Sequence, residues 1–125
     1  MTFLLKASVF LVVFLGLPMS VQAATYYVSI VGSDTNAGTQ VAPWKTIQKA
    51  ANTMIAGDNV IIQAGSYASE RVNVTKSGNS SEIITYQTSG TVVMKGFNIS
   101  ASYIIINGFE IANTDYKRWS RGTSA

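Results

Sequence analysis

"NVIIQ" (59–63), "IITYQ" (83–87) and "YIIIN" (103–107) are three short β-prone runs that line up position by position. Val60 falls beside Ile84 and Ile104, Ile62 beside Tyr86 and Ile106, and Gln63 beside Gln87 and Asn107. The offsets are 84 − 60 = 24 and 104 − 84 = 20 residues. Side chains alternate along a strand, so the first two sets face inward and the third faces outward. Hairpins would instead show two-residue turns between runs of similar length. The one such dipeptide here, Asn107-Gly108, is followed at once by another strand-like run, "FEI". Apolar residues stacked on apolar residues at a long period imply a chain that climbs one layer per turn, a parallel β-solenoid. Adjacent layers would then lie about 4.8 Å apart.

A smaller echo supports the stack. "GFNI" (96–99) and "GFEI" (108–111) share Gly-Phe-x-Ile, with a glycine that permits a tight corner and Phe and Ile on one face. Each inward Ile, Val or Phe contributes roughly 1.5–3 kcal/mol when buried, so stacks in register are favoured.

Upstream of the coils the pattern changes. "TYYVSI" (25–30) is β-branched and aromatic and reads as a strand. In "APWKTIQKAANTMIAGD" (42–58), Ile47, Ala50, Ala51 and Met54 recur at the spacing of one helix face. Thr46 is its expected N-cap and Gly57 its expected stop, with Lys45, Gln48 and Lys49 toward water. Between strand and helix lies "GSDTNAGT" (32–39). Asp34 and Asn36 there are expected to make side-chain-to-backbone turns, with Gly32 and Gly38 supplying conformations that other residues resist. The rival reading is calcium binding, but the ion takes six to eight oxygens and the loop offers one carboxylate, Asp34.

Composition narrows the chemistry. The chain has no cysteine and no histidine, so this span holds no disulfide, no thiolate or imidazole zinc site, no thiol nucleophile and no Ser-His-Asp triad. Chemistry must come from Lys, Arg, Asp, Glu, Tyr, the backbone or an oxygen-bound metal. Residues 1–23 carry Lys6, an apolar core from Val9 to Leu17, Pro18 and then Val21-Gln22-Ala23. That order reads as an export signal cleaved after Ala23, since a membrane span needs roughly 20 uninterrupted apolar residues. Without a cysteine after the apolar core there is no lipoprotein anchor, so a secreted or periplasmic protein is expected, with no membrane association after signal cleavage. Removing Lys6 leaves eight basic against six acidic residues. Basic residues cluster only at Lys117-Arg118 and Arg121, too little for a nucleic-acid partner. Three acceptor patterns for glycosylation, at Asn73, Asn79 and Asn98, arise readily in a chain rich in Asn, Ser and Thr.

The stretch "YYVSIVGSDTNAGTQVAPWKTIQKAANTMIAGDNVIIQAGSY" (26–67) resembles the N-terminal region of secreted bacterial right-handed parallel β-helix proteins, the group with pectate lyase-like and chondroitinase B-like polysaccharide lyases. Tyr27-Val28-Ser29, Gly32-Ser33-Asp34, Asn36, Gly38-Thr39, Pro43, Thr46-Ile47, Ala50, Gly57-Asp58, Gly65 and Tyr67 carry the likeness, and "SYIIINGFEI" (102–111) is similar to the coils that follow. The resemblance implies an all-β, right-handed parallel β-helix with a cap strand and helix covering the first coil. It is specific for fold and says little about activity, because one architecture serves many chemistries.

Uronate-polymer lyases neutralise a sugar carboxylate, remove the C5 proton and expel the C4 oxygen. Calcium or Arg and Lys serve the first step, and an unprotonated Lys, Arg or Tyr the second. In the resembled lyases these groups project from coils in the middle of the helix, and no residue here matches a family catalytic position. Glu110 should point outward as one wall of a substrate groove or as a solvated side chain. Asp58 should cap the turn entering the first coil, and Lys95 should be exposed beside Gly96. Tyr103 and Trp119 offer flat faces for sugar rings. "YKRWSRG" (116–122) mixes three positive charges with two aromatics, which suits an anionic polymer.

These readings divide the chain into a signal (1–23), a cap (24–57) and the first three or so coils (58–125), incomplete at the C-terminus. A solenoid needs both ends covered, so the span is expected to be an amino-terminal portion, inactive alone and prone to aggregate or fray. The expected whole is a secreted β-helix protein acting on a polysaccharide, uronate-containing by preference, through lyase-type elimination with catalytic residues beyond 125. The alternatives are a non-catalytic β-helix for glycan binding or surface attachment, and a glycoside hydrolase, which needs two carboxylates facing one groove. No cofactor is evident in the span; calcium is an expectation for the longer protein.

Overall fold

Strand-forming residues dominate the chain after residue 58, and they wind around one interior. A computed structural model describes residues 22–112. The elements run β1 (Thr25–Val28), α1 (Ile47–Thr53), β2 (Asn59–Val74), β3 (Ile84–Ile99) and β4 (Ile104–Ile111). The strands form one sheet in the order β1-β2-β3-β4, and every adjacent pair is parallel. Register breaks between Gln63 and Gly65 and between Tyr67 and Arg71 divide the 16-residue β2 into segments. Val60, Ile62, Tyr67, Val72 and Val74 from those segments are nonetheless all buried in a single cluster. That combination of parallel pairing and a shared interior is the expected parallel β-helix.

The register differs from the sequence alignment in one respect. Ile84 pairs with Ile104, Tyr86 with Ile106 and Gln87 with Asn107, as the repeats predict. Val60, however, pairs with Tyr86 rather than Ile84, and Gln63 with Ser89 rather than Gln87. The offset between β2 and β3 is therefore 86 − 60 = 26 residues. A slip of two preserves the inward and outward faces, so alternation could not detect it. The Gly-Phe-x-Ile echoes also fail to stack in step: Gly96 pairs with Arg71, while Phe109 pairs with Val92. β3 bulges between Gln87 and Val92 opposite Gly108, which shortens the next coil. Phe97 and Phe109 still meet edge to face, 5.0 Å between centroids.

The cap covers the first coil. Val28, Trp44, Ile47, Ala50, Ala51 and Met54 join the same buried cluster as Val60 and Ile62. Thr46 is the N-cap, its Oγ1 accepting from Lys49 N at 3.2 Å. The helix ends at Thr53, short of Gly57, because Met54 is already extended and Asp58 Oδ2 takes Ile55 N at 2.9 Å. Gly57 sits in the following turn at φ +90°, which other residues resist.

The 32–39 loop folds back on the chain as expected, through partners more distant in sequence than a local turn supplies. Asp34 Oδ1 accepts from Lys45 N and Thr46 N, both at 2.9 Å, and Oδ2 accepts from Thr46 Oγ1 at 2.7 Å. Asn36 Nδ2 donates to Pro43 O, and its carbonyl accepts from Trp44 Nε1 at 2.8 Å. Gly38 has φ +79° and lies directly under the Trp44 ring. The loop thus fastens β1 to the start of α1.

Candidate functional site

Outward positions of successive coils make rows across the sheet. Tyr27, Ile61, Gln87 and Asn107 form one row in register, and Gln63 pairs with Ser89 in the next outward row. Beside these rows a groove of about 510 Å³ is lined by Tyr27, Gln40, Ile61, Gln63, Ala64 and Ser89. The lining is uncharged: an aromatic ring, two amides that both donate and accept, and a hydroxyl. Such a surface suits a hydroxyl-rich ligand with apolar C–H faces, and its volume falls in the range of small-molecule sites. Of the expected amide row only Gln87 and Asn107 are in register, Gln63 lying beside Ser89 instead, and the groove itself was missed because Gln40 reaches it from the cap loop.

A second recess, about 450 Å³, lies beside β4 and is lined by Arg71, Lys95, Phe97, Ile106, Phe109 and Ile111 among others. Ile106 and Phe109 belong to the interior row, so this recess is the inside of the last described coil.

A third, about 270 Å³, lies where α1 begins and is lined by Ile30, Lys45, Thr46, Ser66, Tyr67, Ser69 and Glu70. Glu70 reaches across from β2 to the helix, Oε1 accepting from Ile47 N and Oε2 from Gln48 N, each at 3.2 Å. Burial raises its carboxyl above the ordinary glutamate value against the pull of those two bonds, and nearby Asp34 adds to the rise. Asp34 goes the other way. Burial disfavours its charge, but the bonds from Thr46 and Lys45 and the positive charge of Lys49 outweigh that and hold it below 3.8. Burial, with the charge of Glu70, pushes the Tyr67 hydroxyl up to about 12. Burial alone does the same for Tyr86, also to about 12. Neither phenol is a base near neutrality. Sequence reasoning passed over Glu70, which is 23 residues from the helix it caps.

The residues singled out from sequence are scattered. Glu110 is exposed and points outward, opposite Val93. Lys95, expected to be exposed beside Gly96, is instead half-buried and lines the β4 recess. Asp58 is 2% exposed and holds Ala24 N and Ile55 N, each at 2.9 Å, the turn-capping role expected of it. Tyr103 is half exposed at φ +58°. Trp119 and the 116–122 stretch lie outside the described residues, as does the expected export signal up to residue 21. Among the described residues no group of three or more acidic side chains converges, and no helix is long and apolar enough to cross a membrane.

Comparison with known proteins bears on this geometry. The model of a family described as "Pel9A-like, right handed beta helix region" matches residues 26–124. The sequence is 34% identical over 103 residues to pectate lyase PEL9 of Emericella nidulans, covering 82% of this chain and 23% of that protein. Among solved structures, XylC in complex with xylose is 39% identical with a TM-score of 0.53, over 55% of this chain and 11% of that one. A rhamnogalacturonan lyase is 25% identical with a TM-score of 0.61, over 71% of this chain and 28% of that one. The chain therefore spans less than a third of the length of each of these relatives.

Proposed function

This chain belongs to the Pel9A-like right-handed β-helix family, and on that premise we propose that it forms the cap and opening coils of an exported protein that cleaves a uronate-containing polysaccharide by β-elimination. The observation that carries the carbohydrate reading is the uncharged groove beside Tyr27, Gln40, Gln63 and Ser89, which runs along successive coils as an extended polymer would. The names of two relatives, a pectate lyase and a rhamnogalacturonan lyase, favour elimination over hydrolysis.

Elimination needs a positive partner for the sugar carboxylate and a base for the C5 proton. The described acids do not fit a calcium site, since no three of them converge and Asp34, Asp58 and Glu70 are each spent on N–H donors of the cap. The catalytic groups are accordingly assigned to coils beyond this span, and the groove is assigned to holding the polymer. A second reading, glycan binding without catalysis, is favoured by the neutral lining of that groove. One experiment separates them: the protein carrying these coils and those downstream is incubated with pectin, alginate and chondroitin, with and without chelator, and unsaturated sugar ends are measured. Unsaturated ends on any of the three support elimination. Retention of a glycan without them supports the binding module and overturns the lyase.

A further inference from the structure

Asp58 has a carboxylate buried to 2% exposure at the junction of cap and coil. Among the described residues its partners are backbone N–H groups: Oδ1 takes Ala24 N and Oδ2 takes Ile55 N, both at 2.9 Å. A buried carboxylate without an opposite charge is costly. Ala24 is pinned from its other side as well, its carbonyl accepting from Asn59 N at 2.9 Å. Asn59 also carries a buried Oδ1 with no hydrogen-bond partner. Gln22 and Ala23, just upstream, are exposed. Ala24 is also the first residue after Val21-Gln22-Ala23, where the sequence places the end of an export signal.

Hydrolysis of the Ala23–Ala24 bond by a signal peptidase consumes one water. The C–N bond breaks, Ala23 keeps the oxygen as a carboxylate, and Ala24 N takes protons to become an ammonium. We propose that Asp58 is the receptor for this new α-ammonium group, so that export processing turns an amide-to-carboxylate hydrogen bond into a buried ion pair and fastens the cap. The ammonium has three donors where the amide had one, and each Asp58 oxygen, with one N–H bond apiece, has acceptor capacity left for it. Position is decisive: each residue spans about 3.3–3.6 Å, so a terminus one residue away misses the carboxylate. The other described charge at this corner is Glu82, which lies with Ala23 against Gly57 and takes Asn79 Nδ2 at 3.2 Å.

An α-amino group ordinarily titrates at about 7.7–8.0, and a carboxylate beside it raises that value. The added stability is therefore present below the ordinary value and lost as pH rises through the folded one. The test uses the exported protein, with its N-terminus read by intact mass and sequencing, and expects a chain beginning at Ala24. Near neutral pH its α-amine should be acylated at least about tenfold more slowly folded than in urea, one pKa unit being a tenfold change in free amine. A form that retains Ala23 should lose that protection and melt at lower temperature below pH 8, and Asp58→Asn should erase the difference between the two forms. A terminus elsewhere, or equal labelling of the wild-type amine folded and unfolded, would overturn the proposal. Should Asp58→Asn not fold, the comparison of the Ala24 and Ala23 termini decides alone.

Discussion

Replacing Asp34 with alanine tests whether the 32–39 loop is a structural clasp. The side chain accepts three hydrogen bonds, from Lys45 N, Thr46 N and Thr46 Oγ1, and Thr46 is itself the N-cap of α1. A bond to a charged group contributes about 1.5–3 kcal/mol and loss of a cap costs about 0.5–2 kcal/mol, but the site is only partly buried and water recovers some of this. The expected loss is about 2–3 kcal/mol, concentrated on the cap. At a factor of ten per 1.4 kcal/mol, amide hydrogen exchange in α1 should quicken about thirty- to a hundredfold while β3 is little changed. Asp34→Asn, which keeps one acceptor oxygen, should fall between. The pH profile gives a second reading. Asp34 titrates below 3.8 in the fold, so its contribution is present above that value and lost as pH falls through the folded one. Glu70 has the opposite sign: its raised carboxyl favours the fold below 4.5, and that benefit fades as pH rises through the folded value. Asp34→Ala should therefore abolish the acid-side loss and leave a weaker Glu70 slope, since burial still raises that carboxyl but the charge of Asp34 no longer adds to the rise. Unchanged protection of α1, or protection restored by added calcium, would refute the clasp.

The other predictions concern the coil and the groove. Ile62 is fully buried, so Ile62→Ala should lose about 2–5 kcal/mol in denaturant titrations, with little loss counting against the shared interior. Gly108 has φ +89° and a Cβ there would strike Thr88 Oγ1, so Gly108→Ala should cost about 1–3 kcal/mol. Adding Thr88→Ala should recover the steric part and leave the backbone part, read from the same melts. Tyr27→Ala should weaken oligosaccharide binding about tenfold or more, by calorimetry, without lowering the melting temperature.

How much of this was legible in the chain depends on the distance over which each interaction acts. Alternation in β2, β3 and β4 revealed the inward rows because every second residue reports on the same interior. It could not reveal that Val60 lies beside Tyr86, since a slip of two leaves each residue on its proper face. What sets that register is long-range: Thr85 N bonds to Asp58 O at 3.0 Å, and β3 bulges after Gln87. The helix start was readable from Thr46 and the apolar spacing. Its early end was not, because Asp58 imposes it through Ile55. The groove was half readable: Tyr27 and Gln63 alternate outward in plain sight, but Gln40 enters from a loop whose path depends on Asp34 and Trp44.

Three carboxylates of this fold, Asp34, Glu70 and Asp58, share one task. Asp34 ties the 32–39 loop to the start of α1, Glu70 ties β2 to the same helix, and Asp58 ties the turn after the helix to the residue before β1. Each carboxylate holds backbone N–H groups that would otherwise go unmet where a helix starts or a strand enters the sheet. The cap is thus joined to the coils by acids at its edges as well as by its apolar underside of Ile47, Ala50 and Met54. The outward groove is built from neutral side chains, so a ligand there would not compete with the cap for charge. It follows that acid should loosen the cap through Asp34 before it alters the groove. A binding experiment across pH should accordingly show affinity falling only where α1 protection falls; affinity that titrates while the cap stays protected would mean that a charged residue outside the described groove takes part in binding.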